Sequence, residues 1–206
     1  MEILTFLLKR WEDILRLTIE HLTIVLTAMG ISIILGITIG MMITYHQKAA
    51  RIVLNIAGVF MTIPSLALFS IMIPILGIGK APAIAGLVIY TQLPIIRNVY
   101  AGIMNIDPAI IEAARGMGIP PRKIMIKIKL PLAFPVIMAG VRTAVVMGIG
   151  IGAIASYIGA GGLGDYIFHG ISRTNDKMIL IGAIMVSLVT ILTDKTLGTI
   201  QKRFEI

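Results

Sequence analysis

Five nearly unbroken apolar stretches, roughly 22–45, 52–77, 82–103, 132–155 and 178–199, set the frame of this chain. A helix needs about 20 apolar residues to cross the hydrocarbon core of a bilayer, so each stretch is long enough for one span. The second carries Pro64 and Pro74 and the third Pro82 and Pro94, which predicts kinked or broken helices there. Such breaks are tolerated where the freed carbonyls face protein or a polar cavity. Ahead of the first span, Leu4, Leu7, Leu8, Trp11, Ile14, Leu15 and Leu22 recur at helical spacing, with Lys9, Arg10, Glu12, Asp13, Arg16 and Glu20 between them. Residues 1–21 therefore read as an amphipathic segment that lies in the bilayer interface or packs on the bundle. Gly36 with Gly40, and Gly148 with Gly152, predict close helix approach.

Between the third and fourth spans the pattern breaks into a charged, proline-punctuated hairpin, residues 105–131, NIDPAIIEAARGMGIPPRKIMIKIKLP. Asp107 followed by Pro108 is a helix start: the carboxylate caps free N–H groups, and proline fits the first turn without losing a hydrogen bond. A short helix over Ala109 to Met117 follows. Gly118 ends it in the left-handed conformation, and Pro120-Pro121 open the next helix after a bend. Glu112 and Arg115 project from neighbouring positions, and Ala113 with Ala114 leave a low surface for close approach of another protein. An ordinary solvated loop is the plain alternative.

Composition removes other classes. In 206 residues, 57% are hydrophobic and 14% charged, and the mean hydropathy is +0.98, so this is an all-α integral membrane protein rather than a soluble domain. With no cysteine there are no disulfides or thiolate metal sites, and three scattered histidines make no metal cluster. The formal charge of +8 points to the lipid surface rather than to nucleic acid. Placing the hairpin inside puts Lys48, Arg51, Arg115, Arg122, Lys123, Lys127, Lys129, Lys195, Lys202 and Arg203 on the cytoplasmic side. Lys9, Arg10, Arg16, Lys80, Arg173 and Lys177 then lie outside. The N-terminus is thus expected outside and the C-terminus, with a tail over 202–206, inside.

Other motifs dissolve on inspection. Gly159-Ala-Gly161-Gly162-Leu-Gly164 spells the dinucleotide fingerprint, but no strand precedes it. It reads as a tight turn into a short surface helix whose Tyr166, Ile167 and Phe168 rest in the interface. Gly79-Lys80 is followed by Ala81, with Pro74 where the first glycine of a P-loop belongs, so the chain has no phosphate-binding loop of its own. Charges within the spans are sparse: Arg97 near the inner end of the third, Arg142 in the fourth and Asp194 close to the end of the fifth. Arg97 and Asp194 are expected to snorkel to an interface, and Arg142 is left open. There are no paired carboxylates for a proton relay and no catalytic constellation.

Glu112-Ala113-Ala114, then Gly118, then Ile128-x-Leu130-Pro131 match the pattern E-A-A-x3-G-x9-I-x-L-P. In this the chain resembles the permeases of bacterial binding-protein-dependent importers driven by an ATP-binding cassette. The likeness runs from about residue 22 to 201, through TIPSLALFSIMIPILGIGKAPAIAGLVIYTQLPIIRNVYAGI, PLAFPVIMAGVRTAVV and ASYIGAGGLGDYIFHGI. Across that length it is similar to the osmoprotectant permeases, which take up glycine betaine, carnitine and choline; methionine-type permeases are the nearest competitors. The resemblance implies a type I, MetI-like permease domain over 22–201 in the bacterial cytoplasmic membrane. It implies two permease subunits, identical or paralogous, two ATPase subunits that bind the ATP and Mg, and an extracellular solute-binding protein. The family's coupling helix falls on Pro108 to Met117, including Gly116, with Glu112 and Gly118 as its signature residues.

One Trp and 6% aromatic residues leave little for the aromatic cages that hold quaternary ammonium ions. Selection is therefore expected in a partner receptor, with Ser65, Tyr90, Thr91, Asn98 and Thr143 as candidates for a weak polar passage, each equally able to bond helix to helix. Functions in other classes are an ATP-independent carrier or channel, or a membrane-embedded regulatory scaffold.

Overall fold

The computed structural model describes residues 7–203, which are all-helical with no strand among them. Leu4 and the tail beyond Arg203 lie outside the described residues. Helix α1 spans Trp11–Ile43. It is followed by α2 (Gln47–Thr62), α3 (Ser65–Leu76), α4 (Lys80–Met104) and the short α5 (Pro108–Gly116). A 38-residue helix, α6 (Pro121–Ile158), then leads to α7 (Gly164–Ser172) and α8 (Asp176–Lys202).

α1, α6 and α8 are each long and apolar enough to cross a membrane. The boundary expected at residue 21 is no break, because α1 runs through it as one 33-residue helix. At 1.5 Å per residue this is about 50 Å, well beyond the roughly 30 Å hydrocarbon core, so the charged first turns project from the bilayer. Ile14, Leu17 and His21 are buried, and His21 Nε2 donates to the Ile149 carbonyl at 3.1 Å. The segment thus packs on the end of α6, while Leu8, Trp11 and Leu15 remain exposed.

The second apolar stretch is broken rather than merely kinked. α2 and α3 meet at 99°, and neither half is long enough to span alone. Pro64 is the cause: it forces Ile63 to extended backbone (ψ 130°) and so ends α2. The Tyr90 hydroxyl donates to the freed Ile63 carbonyl. Pro74, by contrast, sits inside α3.

α4 is the centre of the bundle, packed against α1, α6, α2 and α3. Because protein surrounds it, this 25-residue helix tolerates Tyr90, Thr91, Gln92 and Asn98, and with them it is not among the helices apolar enough to count as a span, unlike the third span expected at 82–103. Small residues set its distance from its neighbours. A Cβ on Gly36 would fall 2.6 Å from Ile95, one on Gly40 2.6 Å from Val99, and one on Gly140 2.5 Å from Asn98 Cβ. Gly148 and Gly152 likewise seat Met29 and Val25 of α1. The close approach expected of both glycine pairs is present.

α6 is one rod with three windings. Its first turns carry a π-helical stretch, Met125–Lys129, and its last turn, Ala155–Ile158, is 3₁₀. The π winding comes immediately before Pro131, which has no N–H to return to the carbonyl of Lys127. This is where the hairpin passes into the membrane-crossing part of the helix.

Candidate functional site

The hairpin is built as its sequence dictates. The Asp107 carboxylate accepts from the Ala109 N–H at 2.9 Å, and Pro108 takes the first position of α5. At the other end Gly118 adopts φ +73°, its N–H donates to the Arg115 carbonyl at 2.9 Å, and the Ile119 N–H donates to the Ala114 carbonyl at 3.1 Å. These two bonds are a Schellman motif, which needs a left-handed residue at Gly118.

Glu112, Ala113, Arg115, Gly116, Met117 and Gly118 are exposed, as is Pro108, and Met117 is 72% exposed. Ala114 is not: it turns inward and is buried, so the low surface expected from two alanines reduces to Ala113. The helical turn separates the neighbours, sending Ala114 to the membrane-domain side with half-buried Ile111. Above them, Thr44, Tyr45, Arg115, Pro121 and Lys129 line a polar cavity of about 250 Å³. An exposed face mixing Ile110, Met117 and the charges of Glu112 and Arg115 has the composition of a protein contact.

The candidate passage residues divide. Ser65 starts α3, half-buried, at the α2/α3 break that Tyr90 closes from α4. Thr91 is fully buried and bonded to Ser32, and Asn98 donates to the Pro94 carbonyl at 2.8 Å where α6 crosses α4. Thr143 is exposed on α6 and lines a cavity of about 350 Å³ with Ala139, Arg142, Val146, Met147, Asp194 and Gln201.

That cavity brings together two charges that lie 52 positions apart in the sequence. Arg142 Nε donates to Asp194 Oδ1 at 2.5 Å and Nη2 to Oδ2 at 2.7 Å, a bidentate pair between α6 and α8. Asp194 is thus held by an arginine instead of snorkelling alone, whereas Arg97 is exposed at the hairpin end of α4. The signal available in the sequence was depth, because two antiparallel spans carry opposite charges toward the same end. A further cavity of about 680 Å³, between α1, α6 and α8, is lined by Ile33, Ile37, Phe134, Met138, Leu197 and other apolar side chains, with no polar side chain to hold a solute.

The glycine-rich turn does no nucleotide chemistry. Gly159, Gly161 and Gly162 have positive φ, and the loop lies against α1: a Cβ at Gly162 would meet His21 at 3.1 Å. The surface helix that follows is present as α7, but Tyr166 is buried rather than resting in the interface, because α7 packs on α8. Phe168 meets Tyr157 edge-on at 5.4 Å. Burial raises the Asp165 carboxyl above its ordinary range, partly countered by His169 and Arg16. Among the described residues no cluster of His, Asp or Glu could hold a metal ion.

The chain thus presents an exposed, capped hairpin between α4 and α6 of a bundle with three membrane-length helices. The chain belongs to the family of binding-protein-dependent transport system inner membrane components, whose model matches residues 18–206. It is 39% identical to the choline transport system permease protein OpuBB of Bacillus subtilis, over 98% of this chain and 93% of that one. It is 40% identical to the osmoprotectant import permease protein OsmW of Salmonella typhimurium, over 98% and 96%. Against the glycine betaine/carnitine/choline permease protein OpuCB of Bacillus subtilis the figures are 38%, 98% and 93%. In fold it is similar to a chain of the inward-facing MetNI methionine ABC transporter, with a TM-score of 0.84 over 94% of this chain and 96% of that chain at 24% identity. The type I, MetI-like architecture expected from the E-A-A pattern is therefore the one observed.

Proposed function

We propose that this chain is the permease of an ATP-driven importer of osmoprotectants, taking up quaternary ammonium solutes such as glycine betaine, carnitine or choline. The observation that carries the solute class is the near-complete, roughly 40% identity to permeases named for those compounds. Its likeness to a methionine transporter rests on fold at 24% identity and carries no solute.

The exposed face of α5, with Glu112 and Arg115 outward and Gly118 fixing the bend, docks in a groove of a separate ATPase. That partner binds the ATP and Mg. When its two subunits close, paired hairpins from two permease subunits move together, and α6 carries the motion into the bundle as a continuous rod. The broken α2/α3 span and the π-wound start of α6 are the places where backbone geometry can change at least cost. An extracellular binding protein delivers the solute to the face bearing the 159–164 loop, with the hairpin and C-terminus in the cytoplasm.

The test is solute competition in proteoliposomes holding permease, ATPase and binding protein. Uptake of labelled glycine betaine that requires ATP, is displaced by carnitine or choline and is indifferent to methionine supports the reading. Displacement by methionine alone, or ATP-independent uptake by the permease by itself, overturns it.

A further inference from the structure

We propose that Arg142 and Asp194 form a solute site inside the membrane that takes a small zwitterion, its carboxylate replacing Asp194 on Arg142 and its onium group replacing Arg142 on Asp194. The proposal rests on the osmoprotectant reading and adds to it the residues and the charge pattern the solute would meet.

Depth comes first. Asp194 lies roughly 27 Å along α8 from Asp176, at 1.5 Å per residue, so the pair sits within the bilayer thickness toward its hairpin side. A charge there is costly when it faces lipid, which is why such residues face a protein interior or a watery cavity. Yet the Arg142 and Asp194 side chains are 37% and 36% exposed, and what they face is the cavity of about 350 Å³. A tie that served only to hold α6 against α8 would gain from enclosure; this one is presented to an opening.

Shape and chemistry agree. Gly198 of α8 leaves room for the guanidinium, which lies 3.1 Å (Nη1) and 3.2 Å (Cζ) from where its Cβ would be, so the arginine is laid flat on the helix with its fork toward Asp194. Ala139, Val146 and Met147 give the cavity apolar walls and Thr143 stands in it. Methylated onium groups need apolar contact as well as a counter-charge, and a planar carboxylate matches the guanidinium fork. The cavity is within the size range of small-molecule sites.

The exchange is charge-balanced, which sets the specificity. A zwitterion that opens the pair leaves neither charge unpaired. A simple cation such as choline can satisfy Asp194 but strands Arg142, so the site favours zwitterionic over cationic solutes. Because the ligand must displace an existing bidentate pair, binding is weak, as a passage that releases its cargo requires.

The experiment uses the complete importer in proteoliposomes and a single introduced thiol. The native chain has no cysteine, so modification read on the permease itself reports the Thr143→Cys thiol in this cavity. Without binding protein, millimolar glycine betaine is expected to slow modification of that thiol severalfold, and choline at the same concentration much less. In the full assembly Arg142→Gln is expected to lower the ratio of glycine betaine to choline uptake by about tenfold, the effect of losing a charge-assisted pair to one ligand only. The double variant Arg142→Gln/Asp194→Asn keeps an uncharged hydrogen bond between α6 and α8, so its loss of glycine betaine uptake with normal assembly supports the site. No protection by glycine betaine, with both solutes reduced in the same proportion in every variant, shows the pair to be a structural tie. Absence of glycine betaine uptake by the unaltered importer would instead bring down the solute assignment, and the site with it.

Discussion

Ser32 Oγ lies 2.8 Å from Thr91 Oγ1, both residues fully buried, and this hydrogen bond joins α1 to the central helix α4. Thr91 also donates to the carbonyl of Leu87 at 2.8 Å, so its hydroxyl is held from two sides. Thr91→Val removes the partner of Ser32 and should destabilise the assembly by about 0.5–1.5 kcal/mol. Ser32→Ala should cost less, since Thr91 keeps its bond to Leu87. Thermal denaturation of the purified complex checks the order. A changed solute preference in Thr91→Val, rather than a lower midpoint, would place Thr91 in the passage instead.

Much of this architecture was legible in the sequence because membrane physics narrows the choices. The Asp107-Pro108 start and the Gly118 stop each have one economical structure, and they have it here; of the five apolar runs, three form helices long and apolar enough to span, with the bent α2/α3 pair a fourth at most among the described residues. What escaped were relations between distant elements. Pro64 announced a disturbance, but a 99° break and its closure by Tyr90 depend on α4 lying alongside. The inward turn of Ala114 and the burial of Tyr166 likewise depend on which face a neighbour covers. The Arg142–Asp194 pair needs two spans brought to one depth, which no local pattern encodes.

The turn after α6 is a packing device, and its glycines should differ sharply from others in the chain. A Cβ on Gly164 would overlap the Ala153 carbonyl oxygen and Ser156 Oγ, and the clash with backbone cannot be relieved by a rotamer change. Gly164→Ala should cost several kcal/mol, at the upper end for overpacking, or abolish accumulation of the protein. Gly58 has nothing within 4 Å of its Cβ position, so Gly58→Ala should accumulate normally with unchanged or slightly raised stability. Immunoblots of membranes and denaturation midpoints report both.

Orientation is open to direct labelling because the chain has no cysteine background. A cysteine at exposed Pro121 should be protected from an impermeant thiol reagent in intact cells and react after permeabilisation. One replacing Arg173, exposed at the end of α7, should react without permeabilisation. The reverse pattern would put the hairpin outside and separate it from any cytoplasmic ATPase.

Asp165 provides a pH test. Burial raises its folded-state pKa above the ordinary carboxylate value, with Glu20 adding to the rise and His169 and Arg16 opposing it. Its stabilising contribution is therefore fully present below the unfolded pKa of about 3.9 and is lost as pH rises through the folded pKa. Asp165→Asn should raise the denaturation midpoint at neutral pH relative to the unaltered chain, and the difference should shrink as the pH is lowered toward 4. A difference that does not change with pH would exclude this cause.

On the proposed function, the hairpin transmits ATP hydrolysis to solute movement. Gly118 stands at φ +73° with open space about its Cβ position, so Gly118→Val strains the backbone without a clash, by about 1–2 kcal/mol. The bend rather than the bundle should yield. Glu112→Lys reverses an exposed charge of the contact face and leaves the helix caps intact. The decisive measurement records ATP hydrolysis and ATP-driven glycine betaine uptake together in proteoliposomes of the complete importer. Both variants should insert and allow hydrolysis while uptake falls at least tenfold; normal uptake per ATP in inserted Gly118→Val and Glu112→Lys would contradict the account.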